Sequence, residues 1–300
     1  MQKSSIPFPS FARRTASSLL ALLALGACAL AGDELPPGKA RFALMGDTPY
    51  SPAEVRRLDG LIDALNAEPL AFVVHVGDIT SGRGPCTDEW FAARKAQFAR
   101  ISAAFVLLPG DNDWTDCHRS GFDPLERLRA WRKVFCPSST SHFRLERQEG
   151  EYCEHVRWTF GGLLFVALNV QGSNNNRGRT PEMDREYEAR MAAVMAWIDD
   201  SEKALGERKL EGLVLLMQAN PFLKPRTGES GFEGLLARLR ALGAAHPGRV
   251  TLVNGDTHTY RDDEPIPGVH RVEVYGSPFV SYLRAAAQGS TLSAEPAGQF

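Results

Sequence analysis

Four short apolar runs in this chain end in Gly-Asp. Residues 42–45 precede Gly46-Asp47, and residues 72–76 precede Gly77-Asp78. Residues 105–109 precede Gly110-Asp111, and residues 250–254 precede Gly255-Asp256. Carboxylates are hard oxygen donors, and several gathered at one place repel each other unless a cation joins them. The chemistry these residues point to is that of a divalent-metal site. His258, two residues after the last pair, adds an imidazole donor. A lone Gly-Asp after a strand is ordinarily a turn; four with a neighbouring histidine favour the metal site.

The elements that must position these aspartates can be read from the same pattern. Each run is rich in β-formers and has the length of a buried strand. Each glycine lets the chain turn as the strand ends, and α/β folds build sites past the carboxyl ends of strands. Ser51-Pro52-Ala53-Glu54 predicts an N-cap with Pro at the first helical position and a helix to about Asn66. A strand over 71–76, a helix over about 88–101 and a strand over 104–108 follow. Residues 112–160 read as an insertion: a loop with Trp114 and Cys117, a helix over 124–135, and a hairpin of 143–147 with 152–160. Beyond it come an apolar strand (162–170) and a polar loop (171–179) containing Asn174-Asn175-Asn176. A long helix (181–205), a strand (213–217), a helix (232–244) and strands at 249–253, 269–275 and 279–283 complete one α/β domain over 41–285. The Ala/Gly/Ser/Gln-containing tail, 286–300, reads as disordered. No internal repeat is present.

Of 300 residues, 43% are hydrophobic, enough for a full core. Lys3, Arg13 and Arg14 precede an apolar stretch from Leu19 to Leu30, with no acid before Asp33. This is a secretory signal pattern, too short for an ordinary membrane span. Two endings compete: a small-x-small site at Ala29-Leu30-Ala31, and Leu25-Gly26-Ala27-Cys28, similar to a lipobox that would put a lipid on Cys28. The twin arginine also permits a twin-arginine signal, with a poor match after it. The expected location is the periplasm, a lipid anchor in the bacterial envelope, or the medium. Residues 32–40 form a Pro/Gly-containing linker. Removing residues 1–31 takes away three basic residues and no acid, so the net charge of −2 becomes −5. That argues against a nucleic-acid-binding stripe, and no protein partner is legible. Cys86, Cys117, Cys136 and Cys153 remain, an even count that in an exported chain indicates two disulfides. Three pairings are open; Cys86–Cys117 and Cys136–Cys153 each close a short loop and are favoured. No Cys-x-x-Cys spacing supports a zinc cluster.

In order and spacing, the Gly-Asp blocks resemble the calcineurin-like metallophosphoesterases over about residues 41–285. The corresponding segments are Gly46-Asp47-Thr48-Pro49, Gly77-Asp78, Gly110-Asp111-Asn112-Asp113-Trp114, Met217-Gln218-Ala219-Asn220-Pro221 and Gly255-Asp256-Thr257-His258. The resemblance implies an α/β fold of two mixed β-sheets packed as a sandwich and flanked by helices, four layers in all (αββα). It also implies hydrolysis of a phosphomonoester or phosphodiester at a two-metal site. Asp47, Asp78 and His258 match the family's ligands, with Asp78 as the bridging carboxylate and Asp47 and His258 on the first metal. The remaining positions depart. Pro49 stands where the family has a histidine ligand, Asp111 at the asparagine ligand, and Asn112 at the catalytic histidine; a one-residue shift makes Asn112 the ligand instead. Gln218 replaces the lone histidine and Asp256 the first histidine of the last block. Imidazoles have become oxygen donors, and hard oxygen sets favour Mg²⁺, Mn²⁺ or Ca²⁺ over Zn²⁺, so two divalent sites, with Mn or Mg ahead of Zn, are expected. Tyr50 is a candidate to fill the gap left by Pro49.

Two cations would hold a substrate oxygen and lower the pKa of a bound water. No protein nucleophile is needed, and no Gly-x-Ser-x-Gly elbow is present. The leaving oxygen wants a proton; with Asn112 at the acid position, Asp113, His118 and His75 are the candidates. His75, in an apolar strand, reads first as a core histidine, and His118, beside Cys117, first as structural. His142, His155, His246 and His270 fall outside the blocks. Arg177 or Arg179 is placed to grip phosphate, though an ordinary polar loop is the plainer reading. Trp131, Phe135 and Trp197 read as core; Trp90 and Trp114 are candidates to line a pocket. The expected substrate is a phosphorylated small molecule or phosphodiester. Two other readings stand beside catalysis: a degenerate envelope protein that binds metal or a phosphorylated ligand without turnover, and a purely structural envelope domain.

Overall fold

β-branched and aromatic side chains fill both faces of a buried strand, and the apolar runs behave accordingly. In Leu70–His75 every residue is buried. The computed structural model describes residues 1–2, 40–137, 139–140, 143–225 and 228–300. The expected leader with Cys28, the linker apart from Ala40, and His142 lie outside the described residues.

The first sheet has five strands: β1 (Arg41–Met45), β2 (Leu70–His75), β3 (Ala104–Leu107), β11 (Ser281–Gln288) and β12 (Thr291–Gln299), in the order β12-β11-β1-β2-β3. The second has seven: β4 (Glu146–Arg147), β5 (Val156–Phe160), β6 (Leu163–Ala167), β7 (Gly212–Leu216), β8 (Val250–Asn254), β9 (Arg261–Ile266) and β10 (Val269–Glu273), in the order β4-β5-β6-β7-β8-β10-β9. Strands β1, β2 and β3 run parallel, as do β6, β7, β8 and β10.

The two-residue period of a strand sorts its side chains between layers. Phe42 and Leu44 of β1, Phe72 and Val74 of β2, and Val214 and Leu216 of β7 meet between the sheets. Phe42 stacks on Phe72 at 4.7 Å, and Phe165 meets Phe42 edge-on at 5.2 Å. The alternate residues Ala43, Met45 and Val73 face outward under α1 (Pro52–Ala67), α2 (Asp88–Phe98) and α3 (Pro124–Phe135). Leu213, Leu215 and Leu252 pack under α4 (Pro181–Glu207) and α5 (Glu233–Ala245). The result is the four-layer αββα sandwich. Ser51 caps α1 as expected, its hydroxyl accepting from the Glu54 N–H at 3.3 Å.

One local expectation is corrected, and one strand was not foreseen. The tail is not disordered: residues 286–300 continue β11 and form β12, an antiparallel edge hairpin in which Leu292 is buried and Ala294 packs on the inter-sheet core. Small residues suit this close layer, so low apolar content misled. The expected hairpin of the 112–160 segment supplies β4, at the edge of the second sheet, and β5 beside it. The polar run Arg261-Asp-Asp-Glu-Pro-Ile266 forms β9, an exposed edge strand where Pro is tolerated. Both favoured disulfides form, Cys86–Cys117 and Cys136–Cys153, with Cα separations of 5.8 and 5.6 Å. The first anchors a 3₁₀ helix, Thr115–Ser120, to the loop after β2.

Candidate functional site

Asp47, Asp78, Asp111 and Asp256 follow the carboxyl ends of β1, β2, β3 and β8, and the loops are tied together through their backbones. The Asp47 N–H donates to the Gly77 carbonyl at 2.9 Å, and the Asp256 N–H to the Asp47 carboxylate at 3.1 Å. Asp47, Asp78, Asp256 and His258 all hold left-handed φ angles, between 50° and 78°. Such strain concentrates at functional sites, and Asp and His tolerate it better than most residues. The glycines do more than turn. A Cβ at Gly110 would collide with the Asp78 carboxylate, and one at Gly255 with that of Asp47. Gly110 makes room for the aspartate of the neighbouring strand, and Gly255 for one from the facing sheet.

Crowding shapes the electrostatics. Burial, then repulsion from Asp256, raises the Asp47 pKa well above the usual range. Burial, then Asp111 and Asp47, does the same to Asp78. Asp256 is pushed up to about 7 by burial and by Asp111. One Asp78 oxygen accepts from the Tyr50 hydroxyl (2.7 Å), the Asn112 amide (2.7 Å) and the Gln218 amide (3.2 Å). The other accepts from the Asn112 backbone N–H at 2.9 Å. The Gln218 oxygen is held by the Gly172 N–H at 2.6 Å, so its NH₂ faces Asp47 and Asp78. His258 donates from Nδ1 to the Ser277 carbonyl at 2.7 Å. That fixes the tautomer and turns the Nε2 lone pair inward, 3.2 Å from the Tyr50 hydroxyl and 3.8 Å from Asp47.

A cavity of about 710 Å³ opens over this floor, touching Tyr50, Asp78, Asp111, Asn112, Asp256 and His258; Asp47 and Gln218 are buried. The structure thus brings together every residue named from sequence as a metal ligand. Among the described residues, no three His, Cys, Asp or Glu side chains converge as a ready-made metal cage. The donor chemistry nonetheless fits a hard cation: several buried carboxylates with raised pKa values, and one inward-facing imidazole nitrogen.

The candidate acids fall elsewhere. Asp113 is buried and accepts from the backbone N–H groups of Asp78 (3.0 Å), Ile79 (2.8 Å) and Gly110 (2.8 Å), clasping two of the Gly-Asp loops. His75 donates from Nε2 to the Thr48 carbonyl at 2.9 Å and accepts from the Gly77 N–H at 3.2 Å; burial lowers its pKa to about 4. His118 is exposed, its ring donating to the Thr115 carbonyl at 2.9 Å. None of the three lines the cavity. Trp90, whose Nε1 donates to the Ile79 carbonyl, and buried Trp114 do not line it either.

The polar loop with its three asparagines, a candidate from sequence to reach the site, forms the outer wall; Ser173 and Arg190 are what the sequence reading missed there. Ser173, Asn174, Asn175 and Asn176 form a turn in which every φ is left-handed, from 47° to 69°. Three consecutive asparagines were the available signal, since Asn enters this region more readily than most. Arg190, fully buried in α4, donates to the Asn175 side chain (2.7 Å) and carbonyl (3.0 Å) and holds the turn in place. The turn sets Gly172, which has no room for a side chain, against Asp111 and Asp256. It also places the Ser173 hydroxyl 2.7 Å from Asp111 and 2.8 Å from Asp116.

The sandwich resembles known structures. A dimetal phosphatase from Danio rerio aligns with 86% of this chain and 99% of its own, at a TM-score of 0.54 and 13% identity. A purple acid phosphatase from seeds of yellow lupin (Lupinus luteus) aligns with 88% of this chain and 52% of its own, at 0.50 and 12%. GAP50, the anchor in the inner membrane complex of Plasmodium, aligns with 85% and 83%, also at 0.50 and 12%. The chain has the calcineurin-like metallophosphoesterase fold. At these identities the likeness is one of fold. No protein-family model matches the sequence, and no curated protein matches it.

Proposed function

We propose that the protein is an exported, metal-dependent phosphoesterase acting on a phosphorylated small molecule or a phosphodiester. The observation that carries this reading is the set of buried carboxylates at four strand ends, opening on a polar cavity with arginines in its wall. Asp47, Asp78, Asp111, Asp256 and His258 would hold divalent cations, with Mn or Mg favoured over Zn by the oxygen-rich set. When bound, such cations supply an activated water and offset charge on the phosphoryl oxygens. Tyr50 keeps its proton, because burial and Asp78 raise its pKa, and it holds Asp78 and His258 in register. Since none of the candidate acids lines the cavity, good leaving groups are expected to be favoured. Two disulfides are consistent with export, with or without a lipid on Cys28. No helix among the described residues is long and apolar enough to cross a membrane.

One observation favours a second reading, binding without turnover. Asp78, the expected bridging carboxylate, already accepts from Tyr50, Asn112 and Gln218. A metal-by-substrate screen on the mature protein and on Asp78→Ala separates the two. Turnover of a chromogenic phosphoester with Mn²⁺ or Mg²⁺ that disappears in the variant supports the enzyme. Metal bound by the wild type and lost in the variant, with no turnover of mono-, di- or pyrophosphate substrates, supports the binding protein.

A further inference from the structure

We propose that Arg119, Arg179 and Ser173 form a second anion subsite beside the carboxylate floor. On this assignment the substrate carries a second phosphate close to the scissile one, as in a pyrophosphate or a short bisphosphate. The inference rests on the phosphoesterase reading above.

Arg119 comes from the 3₁₀ helix and Arg179 from the loop before α4, yet both guanidiniums end on one carboxylate. Arg119 lies 2.6 Å from Asp116 and Arg179 lies 3.6 Å from it. One negative charge between two positive ones leaves a net positive wall. Asp116 is 2% exposed, so the pair is fixed from beneath, while the guanidinium side chains are 40% and 26% exposed and line the cavity. Arg179 is further held by donating to the Thr115 carbonyl at 2.6 Å and hydroxyl at 3.1 Å. The Cys86–Cys117 disulfide anchors the 3₁₀ helix that carries Asp116 and Arg119. Each guanidinium offers five N–H donors, more than these contacts use.

Arg119 is 40% exposed against buried Asp116, so part of its guanidinium faces the cavity and not its partner. Arg177, also in the cavity wall, is committed differently, to Glu229 and to the Ser230 carbonyl at 3.1 Å. The Ser173 hydroxyl links the two halves, 2.7 Å from Asp111 on the floor and 2.8 Å from Asp116 on the wall. The subsite therefore begins one hydroxyl away from the floor, a separation suited to phosphates joined by one or a few atoms. Among the described residues lining the cavity, Tyr50, Phe232 and the His258 imidazole are the aromatic groups, which suits a compact polar substrate.

The test is calorimetric titration of the mature protein with methylenediphosphonate and with orthophosphate, at the same Mg²⁺ concentration throughout. The variants are Arg119→Met, Arg179→Met and, as a charge control on exposed α1 surface, Arg56→Met. The wild type is expected to bind the diphosphonate at least about tenfold tighter than orthophosphate, the scale of one charge-assisted contact. Arg119→Met and Arg179→Met are expected to remove that margin while leaving orthophosphate binding unchanged, and Arg56→Met to keep it. Equal affinity for the two probes in the wild type, or a margin that survives in both variants, would overturn the subsite. If Arg179→Met fails to fold, Arg119→Met decides alone. Chromogenic turnover read on the same samples keeps the two ideas apart. A retained margin without turnover overturns catalysis and leaves the subsite standing, whereas turnover without a margin does the reverse.

Discussion

The two halves of the site manage negative charge by different means. The inner half, Asp47 and Asp78, is deeply buried and faces neutral donors: the Tyr50 hydroxyl, the Asn112 and Gln218 amides, and backbone N–H groups. The outer half, Asp111, Asp116 and Asp256, lines the cavity: Ser173 donates toward Asp111 and Asp116, Arg119 and Arg179 flank Asp116, and the Asn220 N–H donates to Asp256. Neutral donors lower the cost of a buried carboxylate without cancelling its charge, which is the environment the proposed cation needs. In the outer half the two arginines offset the charge of Asp116, which is where the proposed anion subsite begins. The difference teaches that one acidic cluster can serve opposite ligands when its neighbours differ.

The largest effect is expected from breaking the inner half. Asp78→Ala removes the carboxylate on which three side chains converge. Its turnover and metal retention should fall by more than about 100-fold, beyond the loss seen when only an orienting group is removed. Asp116→Ala, in the outer half, should retain metal. Metal counted per chain in the two variants checks this, and equal retention would erase the distinction between the halves.

Next comes the support of the outer half. Arg190 is fully buried and bound to Asn175, the Asn169 carbonyl and Glu186. Arg190→Met leaves the Asn169 carbonyl and the Asn175 side-chain oxygen without this donor in the interior and should cost about 3–5 kcal/mol. Thermal melts measure the loss, and an unchanged melting temperature would mean that the left-handed turn stands without its arginine.

The inner half has a pH-sensitive latch of its own. His75 ties the Thr48 carbonyl to the Gly77 N–H as a neutral ring, and its pKa is lowered from 6.5 to about 4 by burial. A depressed histidine pKa means that the folded state resists protonation. Its contribution is full above pH 6.5 and is lost as pH falls through the window down to about 4, on the order of 3 kcal/mol. His155, also lowered to about 4 by burial, adds a similar loss outside the site. Denaturant midpoints of wild type and His75→Gln at pH 7 and pH 4.5 test this. The variant should show the shallower fall, and parallel curves would remove His75 from the account.

Legibility in the sequence follows the reach of the pattern. Asp47, Asp78, Asp111 and Asp256 could be read because each ends an apolar run in Gly-Asp, a local pattern. The outer half depends on long-range packing: Ser173 reaches Asp116 only because buried Arg190 holds an unusual turn. Asp113 shows the opposite error. It stands among ligand-type residues and reads as an acid, yet three backbone N–H groups use it as a clasp. The same division runs through the fold. Core strands carried a clear period, while β9 and β12, at sheet edges and rich in polar or small residues, carried little.

The smallest effect isolates the strain in the outer turn. Ser173 has φ 47°, where an L-residue costs roughly 1–2 kcal/mol and glycine costs almost nothing. Ser173→Ala and Ser173→Gly both delete the hydroxyl between Asp111 and Asp116, so the comparison cancels that loss. Glycine should then be the more stable of the two by about 1 kcal/mol, against its usual handicap from unfolded-chain entropy. The reverse order, read from denaturant midpoints, would mean that the left-handed turn stores no strain at this position. The architecture of the outer half would then owe nothing to backbone tension, and its hold on Asp111 and Asp116 would rest on hydrogen bonds alone.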